Sequence, residues 1–168
     1  MIAMLAKLLK ALNSDSAPGQ IALAFSLGLI TGLTPLFSLH NVFVIFIACI
    51  VRVNFSAFLL ATAFFSGIAY LLDPAAIALG EFLLTHEHYQ AFWTDLYQSE
   101  LFRLLAFNNT LILGSLVITM IAFVPVLLMS RWLISTYRVK FMVWVEKLKI
   151  TKILKASKFY KVYQALAE

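Results

Sequence analysis

The stretch that decides the fold is Gly28-Leu29-Ile30-Thr31-Gly32-Leu33-Thr34-Pro35-Leu36-Phe37-Ser38-Leu39-His40-Asn41, in the middle of an apolar run from Ile21 to Val51. A run this apolar would ordinarily form one membrane-spanning helix, yet its centre holds two glycines, a proline, a histidine and an asparagine. Because Pro35 lacks an amide hydrogen and clashes with the preceding turn, a helix should end or kink at Thr34-Pro35. In lipid, a broken helix persists only where protein or a water-filled cavity covers the freed backbone groups. The stretch is therefore the best candidate for a functional site.

The two parts of this run, 19–33 and 36–51, are each too short to cross a membrane. Each spans roughly 23 Å as a helix, whereas the hydrocarbon core of a bilayer is about 30 Å thick. Two half-length helices that meet at a polar turn predict a re-entrant hairpin over residues 19–51. Two short, tilted crossings would bring the chain back to the same side and are the alternative.

Composition places the chain in a membrane. Of its 168 residues, 62% are hydrophobic and 12% are charged, whereas soluble domains carry about 25% charged residues. Lys7 and Lys10 interrupt the first apolar residues, so the start of the chain does not read as a secretory signal peptide. Cys49, the one cysteine, cannot form an internal disulfide and is expected to pack as a small hydrophobic residue.

The distribution of charge predicts the topology. Nine basic residues lie between Arg131 and Lys161, whereas residues 73–100 hold five acidic residues and no Lys or Arg. Lys and Arg mark cytoplasmic flanks, so both termini are expected in the cytoplasm and the acidic segment outside. One long crossing by residues 19–51 would reverse this arrangement, so the charge pattern favours the hairpin. The basic tail follows a spanning segment and is rich in aromatics, which suits an anionic lipid surface better than nucleic acid.

The chain is expected to form an all-α integral membrane protein in three parts. Residues 1–13 have leucines on one helical face and lysines on the other, which predicts an amphipathic interfacial helix. The membrane domain, 14–134, is expected to contain four segments: the broken hairpin 19–51, a span over 53–72 ended by Asp73-Pro74, an external interfacial segment 73–103 and a second span over 104–130. Residues 135–168 form a basic cytoplasmic amphipathic tail. Its lysines expected at the membrane surface are Lys147, Lys149, Lys152, Lys155, Lys158 and Lys161.

Four residues at the break are candidate ligand-binding residues: Thr34, Pro35, His40 and Asn41. Polar side chains at membrane depth are costly and usually face the protein interior or a cavity. The helix that begins near Leu36 directs its N-terminal amides into the turn, and such amides attract anions, including the phosphate of a lipid headgroup. The alternative is that His40 and Asn41 satisfy the backbone of the loop.

Two further groups flank the break. Arg52 and Asn54 follow the hairpin, and the Arg52 guanidinium suits a phosphate contact; the alternative is a flanking cation at the cytoplasmic interface. Gly28 and Gly32 form a G-x-x-x-G and, with Pro35, are expected to act as the structural hinge. Their spacing permits close approach of a ligand or of another backbone, and helix packing is the commoner use.

Nothing in the sequence has the pattern of a catalytic or metal site. His86-Glu87-His88 would place its two imidazoles about 200° apart on a helix, so further ligands would have to come from elsewhere. There is no nucleophile elbow, P-loop, dinucleotide-binding fingerprint or HExxH motif. We therefore expect no enzyme activity, no metal and no cofactor.

The hairpin carries a family pattern. The positions that match are Pro18, Ile21-Ala22, Gly28, Gly32, Pro35-Leu36, His40, Arg52 and Asn54. In these residues the protein resembles the bacterial domain of unknown function 2062 family, and the resemblance covers about residues 14–85, half of the chain. That family reads roughly as P-x-x-I-A, then glycines, then P-x-x-G-x-H, then R-x-N. Ser38 stands where the family usually has glycine, and Phe65-Ser66-Gly67 stands where many members have an Asn-Pro pair.

The resemblance implies a small prokaryotic inner-membrane domain with no established activity, which in some relatives is attached to glycosyltransferases of the polyprenyl-phosphate type. With the polar hairpin, it leads to the hypothesis of a non-enzymatic envelope subunit that binds lipid headgroups, especially anionic ones, at the break. One alternative is a docking subunit that binds a partner protein in a membrane complex. Another is a small channel or transporter, which would need to be oligomeric.

Overall fold

The computed structural model of the protein describes residues 16–141, with side chains as far as Val139. Within this range every regular element is helical: α1 (Pro18–Leu33), α2 (Leu39–Ile50), α3 (Phe55–Thr85), α4 (Glu87–Gln98), α5 (Glu100–Leu104), α6 (Thr110–Thr136) and a π-helical turn (Tyr137–Phe141). The predicted interfacial helix 1–13 lies outside the described residues, as do the tail lysines from Lys147 to Lys161.

Helix α1 is the centre of the bundle. It has no charged residue and is apolar on all sides, which is typical of a helix surrounded by protein. It packs against both α3 and α6, and Ile21, Ala22 and Ala24 are completely buried. Phe58 of α3 and Ile134 of α6 belong to the same core. The three helices α1, α3 and α6 therefore form the folded unit, with α2 packed on its side.

Helices α1 and α3 run parallel and very close together. A Cβ atom built on Gly28 would lie 2.6 Å from Cβ of Ala61, and one built on Gly32 would lie 2.6 Å from Cβ of Phe65. A side chain at either glycine would collide with α3, so the close approach depends on the absence of one. Helix packing, the commoner use of the G-x-x-x-G motif, is therefore the use made of it here.

Helix α2 returns along α1, so the first two helices form a hairpin. The predicted break is confirmed: α1 ends at Leu33, and Thr34 has an extended backbone with φ −98° and ψ 156°. At the open end of the hairpin, Nδ2 of Asn54 donates a hydrogen bond to Oγ of Ser16 at 3.2 Å. Ser16, two residues before α1, and Asn54, the residue before α3, therefore lie together.

Helices α3 and α6 are long and apolar enough to cross a membrane. The prediction that the first span ends at Asp73-Pro74 is wrong, because α3 continues through Pro74 to Thr85 and has 31 residues. Beyond the proline, α3 packs on α6 with backbone against backbone, since Gly80 lies against Thr110 and Gly114 lies against Ala76. This tertiary contact outweighs the local cost of one proline within the helix.

The segments after residue 73 also have bounds that differ from the predicted ones. Residues 73–85, predicted to be external and interfacial, belong to α3, while the rest of that segment forms the exposed helices α4 and α5. The second long helix begins at Thr110 rather than at residue 104 because Oδ1 of Asn109 accepts a hydrogen bond from the amide of Ile112 at 3.1 Å. It ends at Thr136 rather than at residue 130 because its last turns still pack in the core through Ile134.

Candidate functional site

The turn between α1 and α2, residues 34–38, follows a contact with α3 that lies about a third of the way along that helix. Gly32, just before this turn, is in contact with Phe65. Phe65 is about 15 Å from the start of a helix that is about 46 Å long at the usual rise per residue. Helix α3 and its partner α6 therefore extend well beyond the turn.

The turn buries its polar side chains and exposes its apolar ones. The buried polar side chains at and just after the turn are Thr34, Ser38, His40 and Asn41. Leu36 is 54% exposed and Phe37 is fully exposed, at 103%. This is the reverse of a turn that faces water, because the groups that form hydrogen bonds are directed into the protein.

Asn41 and its neighbours satisfy the backbone of the turn. The carbonyl oxygen of Pro35 accepts from Nδ2 of Asn41 at 3.0 Å and from Oγ of Ser38 at 2.6 Å. The Thr34 hydroxyl lies 2.7 Å from the carbonyl oxygen of Ile30 and 3.0 Å from Oδ1 of Asn41. From the sequence, Asn41 is expected either to bind a ligand or to satisfy the backbone of the loop. Its hydrogen bonds are those of the second, structural role.

His40 differs from these residues because its ring has no hydrogen-bond partner among residues 16–141. The residue is 9% exposed, and both ring nitrogens, Nδ1 and Nε2, are buried without a hydrogen bond to this part of the chain. An unpaired buried polar group costs about 1–3 kcal/mol. His40 is in the first turn of α2, and Ser38, the N-cap residue of α2, makes no side-chain hydrogen bond to the helix. An imidazole and uncapped helix amides therefore occur together, as in an anion site.

Ser38 adopts an extended backbone, with φ −101° and ψ 146°. Any residue adopts this conformation, so the position does not require the glycine that is usual in the resembling family. The serine also supplies the hydroxyl that bonds Pro35, and the departure from the family pattern therefore leaves the turn intact.

Arg52 and Asn54 lie at the opposite end of α2. Arg52 is exposed and is about 18 Å along the chain axis from His40, given the rise of an α-helix. Asn54 caps α3, because its Oδ1 accepts a hydrogen bond from the amide of Ala57 at 2.9 Å.

Arg138 adds a second contact at the open end of the hairpin. It donates a hydrogen bond to the carbonyl oxygen of Ser16 at 2.9 Å, beside the contact between Asn54 and Ser16. The structure thus separates the predicted ligand residues into the turn group and a clasp at the open end of the hairpin.

Other reactive side chains have ordinary surroundings. Within residues 16–141, no three His, Cys, Asp or Glu side chains are close enough together to hold a metal ion. His86 serves as the N-cap residue of α4, and its Nδ1 accepts from the amide of His88 at 3.3 Å. Cys49 is exposed rather than packed in the interior, because the buried stripe of α2 runs through Val44 and Ala48.

Sequence reasoning missed a cleft formed by α4, α5 and the turn before α6. Its volume is about 410 Å³, and aromatic and amide side chains line it. The only signal in the sequence is the density of aromatic residues between 89 and 107, which also fits a membrane-interface anchor.

The comparisons with known proteins agree with the pattern of the hairpin. The model of a family described as an uncharacterized protein conserved in bacteria (DUF2062) matches residues 3–142. The chain is similar to an uncharacterized protein of Treponema pallidum (strain Nichols), with 28% identity over 138 residues, which cover 82% of this chain and 85% of the relative. No solved structure gives a significant match. The resemblance seen in the hairpin thus extends over most of the chain, and the protein belongs to the DUF2062 family of proteins conserved in bacteria.

Proposed function

We propose that this protein is a non-enzymatic, multi-pass protein of the bacterial inner membrane that binds the phosphate group of a lipid headgroup at the turn between α1 and α2. The observation that carries the proposal is His40, a buried imidazole that has no hydrogen-bond partner among the described residues and lies in the first turn of a helix without a side-chain cap.

The exposed surface supports the membrane location. In the most apolar windows of the two long helices, only 17% and 22% of the residues are buried in the protein. Helix α2 also exposes large apolar side chains over most of its length: Val42, Phe43, Ile45, Phe46, Ile47 and Ile50. Exposed apolar surface this extensive is unfavourable in water and fits a hydrocarbon environment.

The geometry of the hairpin supports a re-entrant segment. Its open ends are joined by Ser16 and Asn54, its turn lies far short of the end of α3 at Thr85, and Phe37 at the turn is fully exposed. The open end carries Arg52 and Arg138, whereas the far end of α3 leads into the acidic helix α4. Under the positive-inside tendency, the open end and both termini are cytoplasmic.

A phosphate is the ligand whose chemistry fits the turn. The N-terminal amides of α2 carry a partial positive charge, and an imidazole supplies at least one N–H donor in either protonation state. In the low dielectric of a membrane such hydrogen bonds are stronger than in water. At this depth the source of a phosphate is a lipid, and a headgroup held there would be passing between the two surfaces.

Native mass spectrometry of the full-length protein in mild detergent, with identification of bound lipids, tests the proposal. The wild type should retain a phospholipid or a polyprenyl phosphate, and His40→Leu should lose it. His88→Leu is the matched control, because His88 is an exposed histidine in α4. Arg52→Ala should also retain the lipid, since Arg52 is far from the turn. Equal retention by His40→Leu and wild type would rule out the headgroup site. A lipid-free protein that arrives with a stoichiometric protein partner would favour the docking alternative.

A further inference from the structure

The cleft beside α4 has the dimensions of a ligand site. It lies between α4, the short helix α5 and the turn of residues 105–109, at the end of α3 away from the hairpin opening. Its volume of about 410 Å³ is within the range of small-molecule pockets, about 300–1,000 Å³.

Aromatic rings form much of its wall. Trp93, Tyr97, Phe102 and Phe107 all line the cleft. Nε1 of Trp93 donates a hydrogen bond to the carbonyl oxygen of Leu83 at 2.8 Å, which fixes the indole against the end of α3. The rings of Phe102 and Phe107 lie 5.9 Å apart between centroids. These rings offer flat apolar surfaces to a ligand, and the Trp93 ring is fixed in place by its hydrogen bond.

The remaining polar lining is uncharged. It consists of Gln90, Thr94, Gln98 and Asn108, and no Asp, Glu, Lys or Arg side chain contributes. Amide side chains provide both donors and acceptors, which suits a ligand that carries hydroxyl groups. A charged ligand would find no counter-ion in this lining. A lipid tail would displace water from the four polar side chains without offering them hydrogen bonds in return, which is unfavourable.

The turn that contributes Phe107 and Asn108 is in an unusual conformation. Ala106 has φ 54°, the one non-glycine residue with positive φ among those the structure describes. For alanine this conformation costs on the order of 1–2 kcal/mol. Ala106 directly follows Leu105, the C-cap residue of α5, and a left-handed residue is common at that position. The conformation therefore ends α5 and places Phe107 and Asn108 beside the cleft.

From this lining we infer that the cleft binds the ring of an uncharged sugar, with the apolar face of the ring against the aromatic side chains and its hydroxyl groups at the amides. The inference does not depend on the role of His40. The sugar can belong to a glycolipid or to a soluble carbohydrate, since the recognised chemistry is the same.

Saturation-transfer-difference NMR on the full-length protein in nanodiscs tests the inference. One arm uses methyl β-glucoside, maltose and N-acetylglucosamine in solution. The other arm uses nanodiscs that contain monoglucosyl diacylglycerol, followed by native mass spectrometry of the retained lipid. We expect binding in at least one arm, and the arm that responds identifies the source of the sugar.

Variants separate a site from a surface anchor. Tyr97→Ala should weaken binding about tenfold through the loss of one ring face, whereas Trp93→Phe should keep most of it because a flat ring remains. Tyr89→Ala is the matched control, since Tyr89 is an exposed aromatic residue in α4 outside the lining. Absence of binding in both arms, or an equal loss in Tyr89→Ala, would leave the aromatic residues as membrane anchors and overturn the inference.

Discussion

Asn41 donates a hydrogen bond from its side-chain amide to the carbonyl oxygen of Pro35, at 3.0 Å. The first turn of α2 is thereby tied to the residue that breaks α1, and the Asn41 side chain is almost completely enclosed, at 1% exposure. A backbone carbonyl freed by the broken helix is thus satisfied inside the protein, which is the condition that a turn would have to meet at the proposed membrane depth.

Replacing Asn41 by leucine, which has a similar volume, should lower stability. The carbonyl of Pro35 would lose one of its two donors, with a cost of about 1–3 kcal/mol. Thermal unfolding followed by circular dichroism in detergent measures the effect. Val42→Leu, at the exposed neighbouring position, should leave the midpoint where it is, and equal midpoints for both variants would contradict the role given to Asn41.

Adding one methyl group at Gly28 should be destabilising. In Gly28→Ala the new Cβ would lie 2.6 Å from Cβ of Ala61, so α1 and α3 would have to separate, at a cost of about 1–3 kcal/mol for overpacking. Gly67→Ala is the internal comparison, because a Cβ there meets nothing within 4 Å. It should raise stability by about 0.5–1 kcal/mol through helix propensity. Shifts of the same sign would show that α1 and α3 are not packed through Gly28.

His40→Leu should make the protein more stable once bound lipid has been stripped away. The substitution removes two unpaired ring nitrogens from a buried position, for a gain on the order of 1–3 kcal/mol. A stability gain together with the loss of lipid would indicate a residue kept for binding rather than for folding. The unfolding midpoint after delipidation provides the measurement, with His88→Leu as the reference. A midpoint below that of wild type would mean that His40 has a structural partner.

Pro74→Ala should stabilise α3. Alanine restores an N–H group where the proline lacks one, and the penalty of an interior proline is about 3 kcal/mol. Pro18→Ala should change stability little, because Pro18 begins α1, where the N–H would have no helical partner. The difference between the two unfolding midpoints is the measured quantity. A destabilising Pro74→Ala would show that the fold depends on a proline-induced bend.

Cysteine labelling tests the topology. In a Cys49→Ala background, a membrane-impermeant maleimide added to intact cells should label Glu87→Cys and should label Arg52→Cys only after permeabilisation. Phe37→Cys, at the turn, should resist labelling from both sides if the hairpin is re-entrant as proposed, since its turn would then end within the hydrocarbon. Labelling of Phe37→Cys from outside, at the rate of Glu87→Cys, would support two full crossings instead.

Local chemistry made the break at Pro35 predictable. A proline acts on the turn that precedes it, and no distant residue is needed to see that α1 must stop. The same reasoning gave the wrong end for the next helix at Pro74. There the deciding contacts are Gly80 with Thr110 and Gly114 with Ala76, which join residues more than 25 positions apart. Neither the proline nor its neighbours contain that information.

The residues of the turn could be named from the sequence, but their roles could not be separated. His40 and Asn41 are adjacent polar residues in one apolar segment, and the hydrophobic pattern of the sequence does not distinguish their roles. Only the folded turn shows that Asn41 donates a hydrogen bond to Pro35, while the ring of His40 forms no hydrogen bond with the described residues. The cleft was beyond prediction for a related reason, because Trp93 and Phe107 come together only through the turn at Ala106.

The burial of most of α1 between α3 and α6 has a consequence for biosynthesis. Its partner α6 leaves the ribosome about 100 residues later, a delay of roughly 5–20 s at usual elongation rates. During that interval one flank of the hairpin has no protein neighbour, although the hairpin is too short to anchor itself across the bilayer. For the re-entrant hairpin proposed above, we expect the insertion machinery to hold the nascent chain until α6 arrives, and a chain truncated before Thr110 to be degraded rather than accumulate.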